Sequence, residues 1–436
     1  MVYVNNDTLA TRIHEYVTPY VEVGDFAGAI LIQRRDEAIF QRAYGLANVE
    51  HGVPNRINTR FVIGSINKQF LAAAILLLEQ RGLLRVEDTL DKFLPDFPDG
   101  KRIMLVHLLT HSAGLRRDVF EDPQDLKRVR TMGEWLARIQ GGSLAFTPGQ
   151  GHSYSNCGYI VLAAVIEAVS KQPLEYFLHD HIFKPCGMED SGLYTSPQVI
   201  PHLAQGYEPG FDGLNRAPLE EFPDAIYSTV EDLGRWLSAL HRGAILRKGA
   251  LNRMLTPYPG TSYGYGLTIG RRYGQRFYGH DGMVNGFYSY AAYYPDAQLS
   301  ITFASNIRSG VGMMLTHHIP AMVFGADYPT SIIHHPVKVD PTPFEEYEGD
   351  YEVYPGLMLN VRREGHHRLS LQGTGGYHWP LMPIGRNKFF YRHRYATVIF
   401  ERDLNEVVDR IRWVEWSGQE FLCRKQMIGE GEQAPV

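Results

Sequence analysis

The placement of its β-prone runs limits the folds open to this chain more than any other feature. Gly28–Gln33 and Ala38–Tyr44, either side of Arg34–Glu37, read as an antiparallel hairpin near the start. Far downstream, Tyr263–Ile269, Phe287–Tyr294 and Leu299–Ala304 return to strand chemistry, with Pro295–Asp296 marking a turn. Helical patterns fill the space between. Thr8–Val21 carries Leu9, Ile13, Tyr16, Val17 and Val21 as one stripe. Asn67–Leu78 is dense in Ala and Leu and reads as a buried helix ended by Gly82. Met132–Ile139 and Gly158–Val169 are further helices, and Thr229 with Glu231 and Asp232 caps one that runs through Leu240. Strands at both ends with helices between them predict one sheet whose strands come from distant parts of the chain, an α/β (α+β) arrangement.

After a helical stretch around Met313–Val323 the texture changes. Pro329–Pro343 holds four prolines and reads as a linker. From Tyr347 to Ile428 only short β-prone stretches follow: Gly349–Val353, Leu357–Arg362, Arg368–Leu371, Lys388–Tyr391, Ala396–Glu401, Val408–Val414 and Glu420–Arg424. Strands at that spacing predict a separate small β-barrel or sandwich. The expected division is residues 1–328, a linker over 329–345, and the barrel over 346–436.

With 436 residues, 44% of them hydrophobic, there is ample material for a large core. A net charge of −5 gives no strong field for nucleic acid or anionic membranes. No apolar run approaches the roughly 20 residues needed to span a bilayer. Met1–Asp7 has neither a basic nor an apolar region, so no signal peptide is read. Cys157, Cys186 and Cys423 are too few and too scattered for a disulfide framework or a zinc site and read as small buried hydrophobes. Together these favour a reducing, cytoplasmic setting.

Gly64-Ser65-Ile66-Asn67-Lys68 lies where a loop enters the apolar helix. A Ser at the first turn and a Lys one turn later share a helix face. A serine hydroxyl is a weak nucleophile that needs a base, and a lysine can serve when its surroundings disfavour the ammonium. Ser-x-x-Lys alone is weak, but it occurs once in this sequence and has company. Tyr154-Ser155-Asn156 offers a phenol for proton transfer beside a cation and an amide to fix a substrate. His280-Asp281-Gly282 precedes Met283 and a strand, where a small residue lets substrate backbone lie against the strand edge. Such three-part sets occur in β-lactamases and penicillin-binding proteins.

The chain resembles the serine β-lactamase and DD-peptidase superfamily, in particular its class C-like branch with D-aminopeptidases, esterases and penicillin-binding-protein-like thioesterases. His107–Leu115, Phe146–Tyr159, Lys184–Met188 and Tyr227–Leu233 are similar to stretches of that branch, and the likeness covers about residues 8–325. It implies a β-lactamase-like antiparallel sheet flanked by helices with an all-helical subdomain, followed by a lipocalin-like antiparallel barrel. It further implies that Ser65 attacks and becomes acylated, and that Lys68 and Tyr154 exchange the proton. Asn156, His280 and Gly282 would line the substrate site, and the backbone N–H groups of Ser65 and Met283 would form the oxyanion hole.

Plainer readings stand beside these. Ser65 would serve equally as a helix cap, Lys68 as a surface lysine, Tyr154 as a core tyrosine, Asn156 as a turn residue and His280 as a structural histidine. His107 and His111 stand at the i, i+4 spacing of a metal pair, but no Glu lies between them in the required position and the resemblance makes them structural. His334–His335 and His366–His367 read as loop pairs. The expectation is acyl transfer without metal or organic cofactor, on a small-molecule or peptide substrate. Water as acceptor gives a peptidase, amidase or esterase; an amine gives a transpeptidase or peptide cyclase. A catalytically idle binding protein is the non-enzyme rival. Arg116–Met132 and Gly206–Pro223 are expected to shape the pocket, and a homo-oligomer is compatible with the sequence.

Overall fold

A computed structural model describes residues 6–118, 131–194, 199–218, 222–354, 357–374 and 377–426. The two ends of the first part of the chain meet in one antiparallel sheet. Its strands are β1 (Gly28–Arg34), β2 (Glu37–Tyr44), β3 (Thr268–Arg272), β4 (Gln275–Val284), β5 (Phe287–Tyr294) and β6 (Leu299–Ser305), in the order β3-β4-β5-β6-β1-β2. The closure between distant segments is the β1–β6 pairing, from Gly28 opposite Ser305 to Arg34 opposite Leu299.

Five helices position the sheet: α1 (Asn6–Glu22), α2 (Asn67–Gln80), α3 (Asn156–Ser170), α4 (Val230–His241) and α5 (Val311–Phe324). α1 and α5 cover one face, where Ile13, Tyr16, Val17 and Tyr20 meet Leu315 and Ile319. α4 covers the other, its start capped by Thr229, whose Oγ1 accepts from Asp232 N at 3.1 Å. α2 carries apolar residues all round because it is enclosed all round, packing on α3 within the largest core cluster.

The remainder closes into an eight-stranded barrel: β7 (Gly349–Tyr354), β8 (Leu357–Arg363), β9 (Leu369–Gly373), β10 (Trp379–Gly385), β11 (Lys388–Tyr391), β12 (Ala396–Arg402), β13 (Val408–Val414) and β14 (Glu420–Lys425). Each strand pairs with its sequence neighbour and β14 returns to β7, an up-and-down closure that leaves no free edge. Tyr347, Tyr351, Leu371, Phe389, Phe400 and Ile411 fill its interior. The barrel docks through Arg392, whose Nε donates to Asp25 Oδ1 at 2.7 Å, and Tyr395, whose hydroxyl donates to Asp25 Oδ2 at 3.0 Å.

Three expectations need correction. The segment 263–267 is not strand. Gly266 (φ +74°) turns it so tightly over the start of α2 that an added Cβ would meet Lys68 O at 2.3 Å. His280, Asp281 and Gly282 precede the strand β5 as read, but they also lie within β4, where two glycines in Gln275–Val284 mask the β signal. β10 was not anticipated, because Pro380 and Pro383 each remove a ladder donor. The candidate loops Arg116–Met132 and Gly206–Pro223 lie partly outside the described residues.

Candidate active site

α2 is fed by a short 3-10 turn, Gly64–Ile66, and Ser65 stands on that turn. The helix cap position is Ile66, so the Ser65 hydroxyl is not consumed in capping. Lys68 lies one turn on and folds back over the same face. Its Nζ donates to Ser65 Oγ at 3.2 Å and to Asn156 Oδ1 at 2.9 Å. Lys68 is only 3% exposed, which excludes the surface reading. The rings of Tyr154 and Tyr159 lie 5.1 and 5.5 Å from Nζ and present their negative faces to it.

Tyr154 and Asn156 arrive together because Ser155 caps α3. Its Oγ accepts from Gly158 N at 3.1 Å and donates to Arg116 O at 2.7 Å. Asn156 spans two partners: Oδ1 receives Lys68, and Nδ2 donates to Asp118 Oδ1 at 2.6 Å. The carboxylate therefore fixes which end of the amide faces the lysine. Both ends are engaged by protein, so Asn156 holds Lys68.

The third segment approaches from the sheet. β3 pairs with β4 only as far as Gly279, so His280–Val284 extend beyond it beside the turn that carries Ser65. The contact is backbone on backbone: a Cβ on Gly64 would stand 2.8 Å from Met283 N, and one on Gly282 would stand 1.8 Å from Ile63 O. Gly282 is thus small enough to admit the turn before Ser65. Ser289 Oγ ties the same layer by donating to Ile63 O at 2.7 Å.

The histidines around this cluster are held neutral. His280 is 7% exposed, and its Nε2 shares a hydrogen bond of 3.1 Å with Tyr263 OH. Burial pushes its pKa down and the Lys68 charge adds to that, against the opposing pull of Asp281. His111 is driven well below its usual value by burial, with Lys68 and His280 contributing. The backbone N–H of Ser155 donates to His111 Nδ1 at 3.1 Å, which places the proton of the neutral ring on Nε2. The His111 ring lies 4.2 Å from that of Tyr154 and 4.5 Å from that of Tyr263. His107 Nδ1 accepts from Met104 N at 3.2 Å. Both ring nitrogens named are thus engaged with backbone, and among the described residues no group of three or more His, Cys, Asp or Glu is placed to hold a metal.

Cys157 is buried inside α3, and burial, then Asp118, pushes its thiol up to about 12, which leaves no thiolate at neutral pH. Sequence reasoning missed Asp118, Tyr263 and Asp224. Tyr263 was misread as a strand residue; Asp118 and Asp224 stood inside loops with no pattern to single them out.

The beta-lactamase family model matches residues 13–318. The chain belongs to that family. A penicillin-binding protein of Bacillus subtilis (strain 168) is 26% identical over 443 residues, covering 93% of this chain and 96% of its own. Esterase EstB of Burkholderia gladioli is 32% identical over 208 residues, which is 43% of this chain and 53% of that protein. The octameric penicillin-binding protein homologue from Pyrococcus abyssi superposes with a TM-score of 0.64 at 24% identity, covering 97% of this chain and all (100%) of that one. That last likeness takes in the barrel as well as the sheet domain, so the two-part architecture is shared in full.

Proposed function

We propose that the protein is a serine hydrolase that cleaves ester, amide or peptide acyl groups through an acyl-Ser65 intermediate. The observation that carries this reading is the buried Lys68 Nζ poised between Ser65 Oγ at 3.2 Å and Asn156 Oδ1 at 2.9 Å. Ser65 Oγ attacks the substrate carbonyl carbon while its proton passes to the Lys68–Tyr154 pair. The oxyanion is received by the N–H groups of Ser65 and Met283, each such donor contributing about 3 kcal/mol. As the carbon–leaving-group bond breaks, the pair returns the proton to the departing nitrogen or oxygen. Water then attacks the ester carbon and gives its proton to the same pair, which passes it to Ser65 Oγ as the acyl carbon–Oγ bond breaks, releasing the acid and the free Ser65 hydroxyl.

The acyl group favoured is one without a carboxylate to be held at β4. His280 is buried and mostly neutral, so it provides no permanent cation there. Arg117 stands over the Tyr154 ring with Cζ at 5.6 Å, but its charge already has Asp118 at 3.4 Å. Similarity to an esterase agrees with ester acyl groups.

The test is a fluorophosphonate probe followed by peptide mass mapping, which should place one adduct on Ser65 and none in Ser65→Ala. Turnover of short esters and of paired D- and L-amino-acid amides is then compared with a chromogenic cephalosporin. An adduct on another residue overturns the mechanism; cephalosporin hydrolysis near about 10⁶ M⁻¹s⁻¹, within the range of good enzymes, overturns the substrate class.

A further inference from the structure

Lys68 is a buried amine whose two hydrogen bonds both go to neutral oxygens. An ammonium removed from water needs a compensating charge nearby, or it loses its proton. Asp118 lies one amide away, beyond Asn156, but its side chain is 34% exposed and solvent screens it. Asp281 faces His280 and is 56% exposed. The histidines His111 and His280 are neutral, Tyr154 and Tyr159 present only ring faces, and Arg117 adds positive charge beyond Tyr154.

One acid is placed differently. Asp224 is 5% exposed, beneath the start of α2. Its Oδ2 receives Asn67 Nδ2 at 2.8 Å, and its backbone oxygen receives the same nitrogen at 2.9 Å. Asn67 is the residue before Lys68, so the clamp fixes the carboxyl to the turn that carries the lysine. The positive end of α2 begins at Asn67 as well, which favours an anion at that position. Burial raises the Asp224 pKa overall, and the Lys68 charge is the largest influence opposing that rise. Nothing in the proton path described above uses Asp224.

We propose that Asp224 is the buried counter-charge of Lys68, a positioning residue that keeps the lysine protonated in the resting enzyme. Lys68 then starts as an ammonium donor to Ser65 Oγ and must release its proton before the pair can accept the one from Ser65. Asp224 thereby sets the pH at which the free enzyme becomes competent to acylate. The carboxylate touches neither substrate nor the reacting atoms and acts only through its charge. The inference rests on the acyl-Ser65 reading.

The measurement is the pH dependence of kcat/KM for a short neutral ester in wild type, Asp224→Asn and Asp224→Glu. Asn keeps the shape and an acceptor for Asn67 Nδ2 but removes the charge. The acid limb in Asp224→Asn should move to lower pH by about one unit, as expected when a nearby opposite charge is lost. The direction is the same whether Lys68 or the Tyr154 phenol is the final proton acceptor, because loss of a negative charge eases deprotonation of both. Asp224→Glu should return the limb toward wild type. A limb that stays in place in a folded Asp224→Asn enzyme overturns the proposal, since a purely structural carboxyl would alter stability and plateau rate but not the limb. If neither variant folds, carbon-13 titration of aspartate-labelled enzyme decides: an Asp224 carboxyl, assigned through its contact with Asn67 Nδ2, still protonated at neutral pH overturns it, and the same carboxyl ionised supports it. Labelling of wild-type Ser65 by a fluorophosphonate is run alongside, so a failed nucleophile assignment is distinguished from a failed Asp224 assignment.

Discussion

Gly282→Ala tests the placement of the oxyanion donor more sharply than removal of any polar side chain. The methyl group would stand 1.8 Å from Ile63 O and 2.5 Å from Ser289 Oγ, where real Cβ contacts below 3.0 Å essentially never occur. Ile63 O is backbone and cannot rotate away, so β4 and the nucleophile turn must separate by about 1.2 Å. Met283 N–H, the next residue, moves with the strand. A misplacement of about 1 Å at a catalytic group costs roughly 10²-fold, and loss of an oxyanion donor 10²–10³-fold. The expected fall in acylation rate with an activated ester is therefore about 10²–10³-fold, with overpacking costing about 1–3 kcal/mol of stability. Gly279→Ala is the control. It lies in the same strand, but its Cβ would meet Ala291 O at 2.4 Å, backbone of β5 rather than of the turn that carries Ser65. It should lower Tm with little change in acylation. Equal destabilisation by both variants, with the Gly282→Ala rate unchanged, would refute the assignment of Met283 N–H.

Ser65→Ala should abolish turnover while leaving Tm near wild type, as read by ester hydrolysis and calorimetry. Lys68→Ala and Tyr154→Phe should each cost several orders of magnitude in kcat, and the double variant little more than the worse single one, because they act as a unit with Ser65; additive losses would separate their roles. Cys157→Ala should retain activity, and iodoacetamide should leave the folded wild type active, since that thiol is buried with its pKa near about 12. At the joint between α5 and the barrel, burial lowers His317 to about 4 beside the Trp416 ring 5.3 Å away. Because the unfolded chain binds that proton first, stability is full above about pH 6.5 and declines as pH falls toward 4. His317→Phe should flatten that decline in Tm against pH, and an unchanged slope would show that His317 does not contribute to it.

Much of the architecture was legible because periodicity reports burial. The stripe over Thr8–Val21, the all-apolar run after Asn67 and the Thr229 cap each correspond to a helix with those residues buried or capping. What failed did so where Gly or Pro replaced the side chains that carry the pattern. β4 holds Gly279 and Gly282, β10 holds Pro380 and Pro383, and 263–267 holds Gly264 and Gly266. The linker was legible as composition but not as packing: Ser331 Oγ donates to Tyr16 O at 2.9 Å and Ile332 N to Tyr20 OH at 3.1 Å. No local pattern encodes contacts to a helix more than 300 residues earlier.

At the site, the polar residues were visible because they stand in short motifs, whereas their spacing was not. Ser65, Tyr154 and Met283 come from three segments whose approach is governed by absent side chains. Gly282 admits Ile63 O, Gly64 admits Met283 N, Gly266 admits Lys68 O, and Gly149 would bring a Cβ to 3.1 Å from His107 Nε2. Ser65, Tyr154 and Met283, on three segments, come together only if those segments lie closer than side chains normally permit. The glycines beside the motifs are thus the geometric half of the site. Asp118, His111 and Asp224 are its electrostatic half, fixing an amide, withholding a charge and setting one opposite Lys68. Neither half follows a fixed spacing in sequence, because each residue answers to a partner brought up by the fold.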